Sequence, residues 1–336
     1  MSRPIPRRTA LAMTLAAVSG GALAQQQKAA RPAPAAPNWP TRPVRLLVGF
    51  PGGSSPDLTA RTLAEPLSKA LGQPVVVENR PGAGGNIAAD LVAKSTDDHT
   101  IGVMINGNMT IAKLLNPATP FDPLRDLAPI SLIGTAPLLL TAPVNAPGGN
   151  AQEFFLAARN AGNKWSYGTP GVGTVGHIGM ELLKTKTNID PVHVPYPGNP
   201  QVINAMMAGQ IHLSLLPPGL AAAQIRAGKL KAIGVTSSGR SSLVPEYPSL
   251  DETGATRGFQ LEIWNAVAGP ANLPRPIVAK LSGLVSEIVR SADVRQKLFQ
   301  QGWQVVGASS EGLANRIKAD TALLGGVIQM RGIKAE

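Results

Sequence analysis

From residue 44 onward, short β-rich apolar runs alternate with longer segments whose apolar residues recur at helical spacing. Residues 44–50 predict a strand that Pro51, Gly52 and Gly53 interrupt. Leu58, Leu63, Leu67 and Leu71 repeat near the helical period and predict a helix. Pro66 lies inside it, so the pattern also predicts a kink or a separate first turn there. A strand over 75–77, a helix over 87–94 and a strand over 101–105 follow. After Pro143 the rhythm resumes. Asn150 and Glu153 have capping-box spacing for a helix that Gly162 ends. Asn199 and Pro200 open another helix, which Gly209 closes. Strands are expected over 192–195, 211–216, 230–236 and 263–268, and helices over 276–290, 292–301 and 311–330.

Strands alternating with helices predict an α/β fold with largely parallel sheets. Two apolar segments, 138–141 and 262–268, are candidate crossings between two bodies. Two crossings give a discontinuous first lobe, 43–138 with 264–336, and an inserted second lobe, 139–263, with a cleft between them. No repeat of 20–50 residues is evident, which argues against a solenoid.

The N-terminus departs from this pattern. Arg7 and Arg8 precede an apolar run over 10–18, and small residues end in Ala22, Leu23 and Ala24. A basic head, a short apolar middle and an A-x-A exit predict a secretory signal over 1–24. The run is roughly half the ~20 apolar residues that a membrane span needs. Arg7 and Arg8 leave both the general and the twin-arginine export routes open. Residues 25–42, rich in Pro, Ala and Gln, are expected to be a disordered leader. The expected location is the periplasm, as a soluble protein.

Composition narrows the chemistry. The 336-residue chain has no cysteine, which excludes a disulfide scaffold, a cysteine-linked lipid anchor and thiolate catalysis or metal binding. The net charge is +11, and such a surface steers anions. Basic residues are scattered and aromatics make up 4%, a poor match to a nucleic-acid surface. Small anions suit the balance better, although a positive charge also serves plain solubility.

Three glycine-rich turns stand where a strand feeds a helix. In Gly52-Gly53-Ser54-Ser55-Pro56-Asp57, a serine can cap the helix with proline in its first turn, leaving backbone N–H groups for an anion. Arg80-Pro81-Gly82-Ala83-Gly84-Gly85-Asn86 suits close backbone approach or a tight turn. The third, residues 167–177, contains G-x-G-x-x-G at Gly171, Gly173 and Gly176, flanked by Thr169, Thr174 and His177. A Rossmann reading fails because Asp190, the acid at suitable distance, precedes its strand instead of ending it. An anion cradle of N–H and hydroxyl donors fits better, with helix capping as the plain alternative. Asn106, Asn108 and Thr110 follow a strand end, where ligands of α/β proteins often sit. No Gly-x-Ser-x-Gly elbow, His-Glu-x-x-His or Walker loop occurs. His99, His177, His193 and His212 include no i, i+4 pair, so neither a metal nor another cofactor is expected.

Several motifs carry a family resemblance. Trp39-Pro40-Thr41-Arg42-Pro43-Val44-Arg45, then Phe50-Pro51 and Asp57-Leu58-Thr59-Ala60-Arg61, resemble the opening of the Bug family. Leu71-Gly72-Gln73-Pro74-Val75-Val76-Val77-Glu78-Asn79-Arg80-Pro81-Gly82-Ala83-Gly84-Gly85-Asn86 is more diagnostic. His193-Val194-Pro195-Tyr196-Pro197-Gly198 and Ala227-Gly228-Lys229-Leu230-Lys231-Ala232 follow in order. The resemblance, from about Trp39 to the C-terminus, implies a TctC-like substrate-binding protein of a tripartite tricarboxylate transporter. It implies the type II periplasmic-binding fold, with a carboxylate held by backbone and hydroxyl groups of facing loops.

Carried over by position, the binding residues are Phe50, Ser54, Ser55, Asp57, Asn106, Asn108, Thr110, Thr169, Gly171, Gly173, Thr174, His177 and Tyr196. The implied partners are a small organic carboxylate and the large and small membrane subunits of the transporter. A sensor kinase is the alternative partner, and the protein is expected to be a monomer. This sequence departs from the family at Gly52, Ser54, Pro56 and Val172, and has Leu216 where many members carry an acid. A missing acid disfavours an amino acid as ligand. An exported hydrolase would need a nucleophile–base pair that the motifs lack.

Overall fold

Residues 38–333 are described in a computed structural model. The expected signal over 1–24 and most of the expected leader lie outside these residues. The leader's last residues, 38–42, do not match the expectation of disorder. Trp39 is buried in the core, its Nε1 donates to Asp98 O at 3.0 Å, and its carbonyl accepts from Lys280 Nζ at 2.7 Å. One buried aromatic anchors a segment whose composition alone reads as disordered.

Eleven strands are formed among the described residues: β1 Val44–Val48, β2 Val75–Asn79, β3 Thr100–Ile105, β4 Leu127–Pro137, β5 Leu139–Pro143, β6 Ser166–Thr169, β7 Val192–Pro195, β8 Ser214–Leu216, β9 Leu230–Val235, β10 Glu262–Pro270 and β11 Gln304–Ala308. The larger sheet has the order β11-β4-β10-β3-β1-β2; a second body carries sheets β8-β5-β9 and β6-β7. Alternation within β1 explains how the larger sheet is covered. Val44, Leu46 and Val48 join one cluster with the helices Ser55–Leu71 and Arg275–Arg290. Leu47 faces the opposite cluster, with Ala88, Val92 and Trp264. Both faces are therefore buried, as the near-continuous apolar run requires. In β5, Leu140 and Ala142 enter one cluster of the second body while Leu139 enters the other.

The expectation of largely parallel sheets needs correction. β1 pairs in parallel with β2 and β3, and β6 with β7, but β10 is antiparallel to β3 and β4, β11 to β4, and β5 to β8 and β9. The crossings cause this. The chain leaves the larger sheet through β4, passes Leu138 into β5, and returns after Leu261 through β10, beside β4 and opposite in direction. The helix Ser55–Leu71 runs unbroken through Pro66, ending on Gly72 at φ 70°. Its apolar stripe of Leu63, Leu67 and Leu71 is buried, and that packing holds the helix across the missing donor.

Candidate functional site

Four helices begin at one small cavity between the two bodies. Ser55 and Pro56 open Ser55–Leu71, Val175 and Gly176 open Val175–Thr187, Asn199 opens Asn199–Met207, and Pro217 precedes Pro218–Arg226. All line the same void of about 50 Å³. Helix N-termini carry unpaired N–H groups and partial positive charge, so their convergence favours an anion. Among the described residues no charged side chain lines the cavity. Phe50, Leu138, Leu215 and Trp303 supply apolar wall, and Asn106, Thr174 and Asn265 the remaining polar groups.

Three buried polar atoms with no hydrogen-bond partner belong to residues of this lining: Asn106 Oδ1, Asn199 Oδ1 and Trp303 Nε1. Ser54 Oγ, beside Ser55, is a fourth such atom at the same loop. Native interiors rarely leave such groups unmet, so each is expected to meet a water or another polar group.

The expected site residues divide by position. Phe50, Ser55, Asn106 and Thr174 line the small cavity. Asn108, Gly171, Gly173 and Tyr196 line a larger cavity of about 760 Å³ beside it. Ser54, Asp57, Thr110, Thr169 and His177 line neither. The larger cavity touches the N-termini of none of the four helices, but Asn86, the first residue of the helix Asn86–Ala93, lines it.

The residues behind the walls brace the loops. Asp57 accepts from Gly53 N at 2.9 Å, Asn79 Nδ2 at 2.8 Å and Arg61 Nε at 3.1 Å. Burial opposes its ionisation, yet these bonds hold its pKa below the ordinary carboxylate value. Asn108 Nδ2 donates to Gly84 O at 2.9 Å and Asn86 Oδ1 at 2.8 Å, and Thr110 Oγ1 to Asn106 O at 2.7 Å. Thr174 caps its helix, accepting from His177 N while Oγ1 donates to Gly171 O at 2.8 Å. Its proton is thus committed within its own loop.

Thr169 Oγ1 lies 2.7 Å from His193 Nε2. His193 stacks between Tyr167 and His177, with ring centres 4.8 and 4.4 Å away. Desolvation in that stack lowers the His193 pKa to about 4, so the ring is neutral near pH 7.

Glycines lie where the two bodies approach most closely. A Cβ on Gly84 would collide with Val172 O, and one on Gly107 with Gly173 O. A Cβ on Gly198 would lie 2.7 Å from Pro51, and one on Gly219 would collide with Gln301 O. Each pair joins the two bodies through backbone or proline, an approach that a side chain would block.

Sequence reasoning missed Trp303, Asn199 as a wall residue, Asn265 and Pro217. Trp303 lies far along the chain in a segment with no loop motif, so only tertiary packing brings it to the cleft. Asn199 was visible as a helix opener, the one signal that could have marked it.

The model of the tripartite tricarboxylate transporter family receptor, TctC, matches residues 59–333. Among solved structures, the periplasmic binding protein BugD is 29% identical, with TM-score 0.84, covering 89% of this chain and all of its own. MatC from Rhodopseudomonas palustris, with bound malate, is 31% identical with TM-score 0.82 over 86% of this chain and 100% of its own. The R. palustris protein Rpa4515, with adipate, is 30% identical with TM-score 0.85 over 88% and 99%. The chain belongs to the tripartite tricarboxylate transporter receptor family, TctC-like and akin to the Bug proteins, with the periplasmic-binding-protein fold that its motifs implied.

Proposed function

We propose that this chain is an exported solute-binding protein that captures a small organic carboxylate and presents it to the large and small membrane subunits of a tripartite transporter. The observation that carries this reading is the convergence of four helix N-termini on one small cavity that no charged side chain among the described residues lines. An anion there exchanges water for oriented N–H groups, and no bound cation is needed. The malate of MatC and the adipate of Rpa4515 support an organic acid as the ligand class.

In this reading residues 43–138 with 264–336 form one lobe and 139–263 the other. The acid docks while the lobes are apart, and closure over it requires tighter binding to the closed state than to the open one. Phe50, Ser55, Asn106 and Thr174 contact the acid or its water. Asp57, Asn108, Thr110, Thr169 and His177 hold the loops, and Gly171, Gly173 and Tyr196 form the outer edge. Residues 1–24 direct the chain to the periplasm and are removed. The protein traps its ligand and does not transform it.

The test is a thermal-shift screen of mono-, di- and aromatic carboxylates on the purified chain. A ligand at 100 times its Kd is expected to raise Tm by about 4 °C. If amines or sugars stabilise and no acid does, the reading is wrong. Turnover of any acid, ester or amide in the same samples would equally refute it.

A further inference from the structure

The unmet polar atoms of the residues that line the cavity differ in kind, and the difference bears on what an acid must carry besides its carboxylate. Asn106 Nδ2 donates to the carbonyl of Glu262 at 3.2 Å. That bond fixes the amide, because only its nitrogen can face an acceptor. The atom left buried without a partner is therefore the carbonyl oxygen, a pure acceptor. Trp303 Nε1 is a pure donor, and it too is buried and unmet. Asn199 has no side-chain bond that fixes its amide, so it can serve in either sense.

A simple carboxylate brings only acceptors. It satisfies Trp303 and the helix N–H groups but leaves Asn106 Oδ1 facing another electron-rich oxygen. The missing element is a donor on the ligand. An ammonium is disfavoured twice: no carboxylate among the described residues lines the cavity, and four positive helix ends surround it. A protonated acid is disfavoured by the same helix ends. A hydroxyl group donates without carrying charge. The void of about 50 Å³ holds roughly 3–5 water-sized groups, which limits the acid to a few carbons.

We infer that the cavity selects a short hydroxy acid over the same acid without its hydroxyl, with Asn106 Oδ1 accepting from that hydroxyl and Trp303 Nε1 donating to an oxygen of the acid. The inference rests on the carboxylate reading above and narrows it.

Isothermal titration of the purified chain with matched pairs tests it: glycolate against acetate, lactate against propionate, 3-hydroxybutyrate against butyrate. The hydroxy member of at least one pair is expected to bind about tenfold tighter or more, since its partner leaves a buried acceptor unmet. Asn106→Leu is expected to reduce that preference to about twofold. Trp303→Phe is expected to weaken both members together. The wild-type comparison needs no variant to fold. Equal affinity within every pair overturns the inference and leaves the carboxylate reading standing, as water would then satisfy Asn106. Tighter binding of alanine than of lactate also overturns it. If neither these acids nor any member of the wider carboxylate screen binds, both readings fall.

Discussion

Asp57 has the chemistry of a ligand contact and the placement of a brace. Its carboxylate is saturated by Gly53 N, Asn79 and Arg61 behind the first loop. Removing it strands those donors, so Asp57→Ala is expected to cost about 2–3 kcal/mol in urea denaturation. Arg61 is half exposed, and Arg61→Ala should cost under about 1 kcal/mol. An Asp57→Ala protein of full stability that no longer binds any acid would instead make it a contact.

His193 carries a pH prediction. Its pKa is lowered to about 4 by burial, against 6.5 when unfolded, so between those values the unfolded chain binds the additional proton. The stability this neutral ring contributes is complete above pH 6.5 and is lost as pH falls toward 4. The Tm of the wild type should therefore drop more between pH 7 and 4.5 than that of His193→Asn, and an equal drop would contradict the assignment.

Glycine turns, hydroxyls and amides made the loops around the two cavities legible at this scale, but not which residues line each void. A threonine that caps a helix and one that greets a ligand look the same in sequence.

At the scale of elements, apolar periodicity located most helices and strands to within a residue or two. β4 and β11 escaped it. Pro129 and Pro137 within β4 look like loop residues, and β11 is short; each is a strand because neighbouring strands complete its hydrogen bonds. The conflict at Pro66 resolved toward packing, since Leu63 and Leu67 lie buried on either side of it. Pro66→Ala restores a backbone donor and is expected to stabilise the chain by about 1–3 kcal/mol in denaturant. A lower stability would mean that proline restricts the unfolded chain more than it harms the helix. At the third loop, Thr174→Ala removes a helix cap and should cost about 1 kcal/mol, whereas Thr174→Ser should cost little.

For the whole molecule the decisive contacts join the two bodies. Ile178 clusters with Ile111 and Leu115 of the larger body and with Leu324 and Ile328 of the C-terminal helix, so the two bodies share an apolar cluster in this arrangement. Gly107 lies in a short helix at an ordinary φ, yet its Cβ would meet Gly173 O across the cleft. Gly107→Ala should therefore leave folding intact while raising the Kd for any bound acid by about tenfold or more, with a larger radius of gyration in X-ray scattering. Unchanged affinity would mean that the lobes do not need this approach.

The amino-acid sequence by itself determined the alternation of strands and helices, the turns that seat the loops and the family, because periodicity, capping and motif are local properties. Tertiary structure alone decided the antiparallel return of the crossings, the order at Trp39, the roles of Asp57 and Thr174, and the arrival of Trp303 at the cavity. Those outcomes depend on which surfaces meet across long sequence separation, and burial, not local preference, sets which polar atoms are left for a ligand.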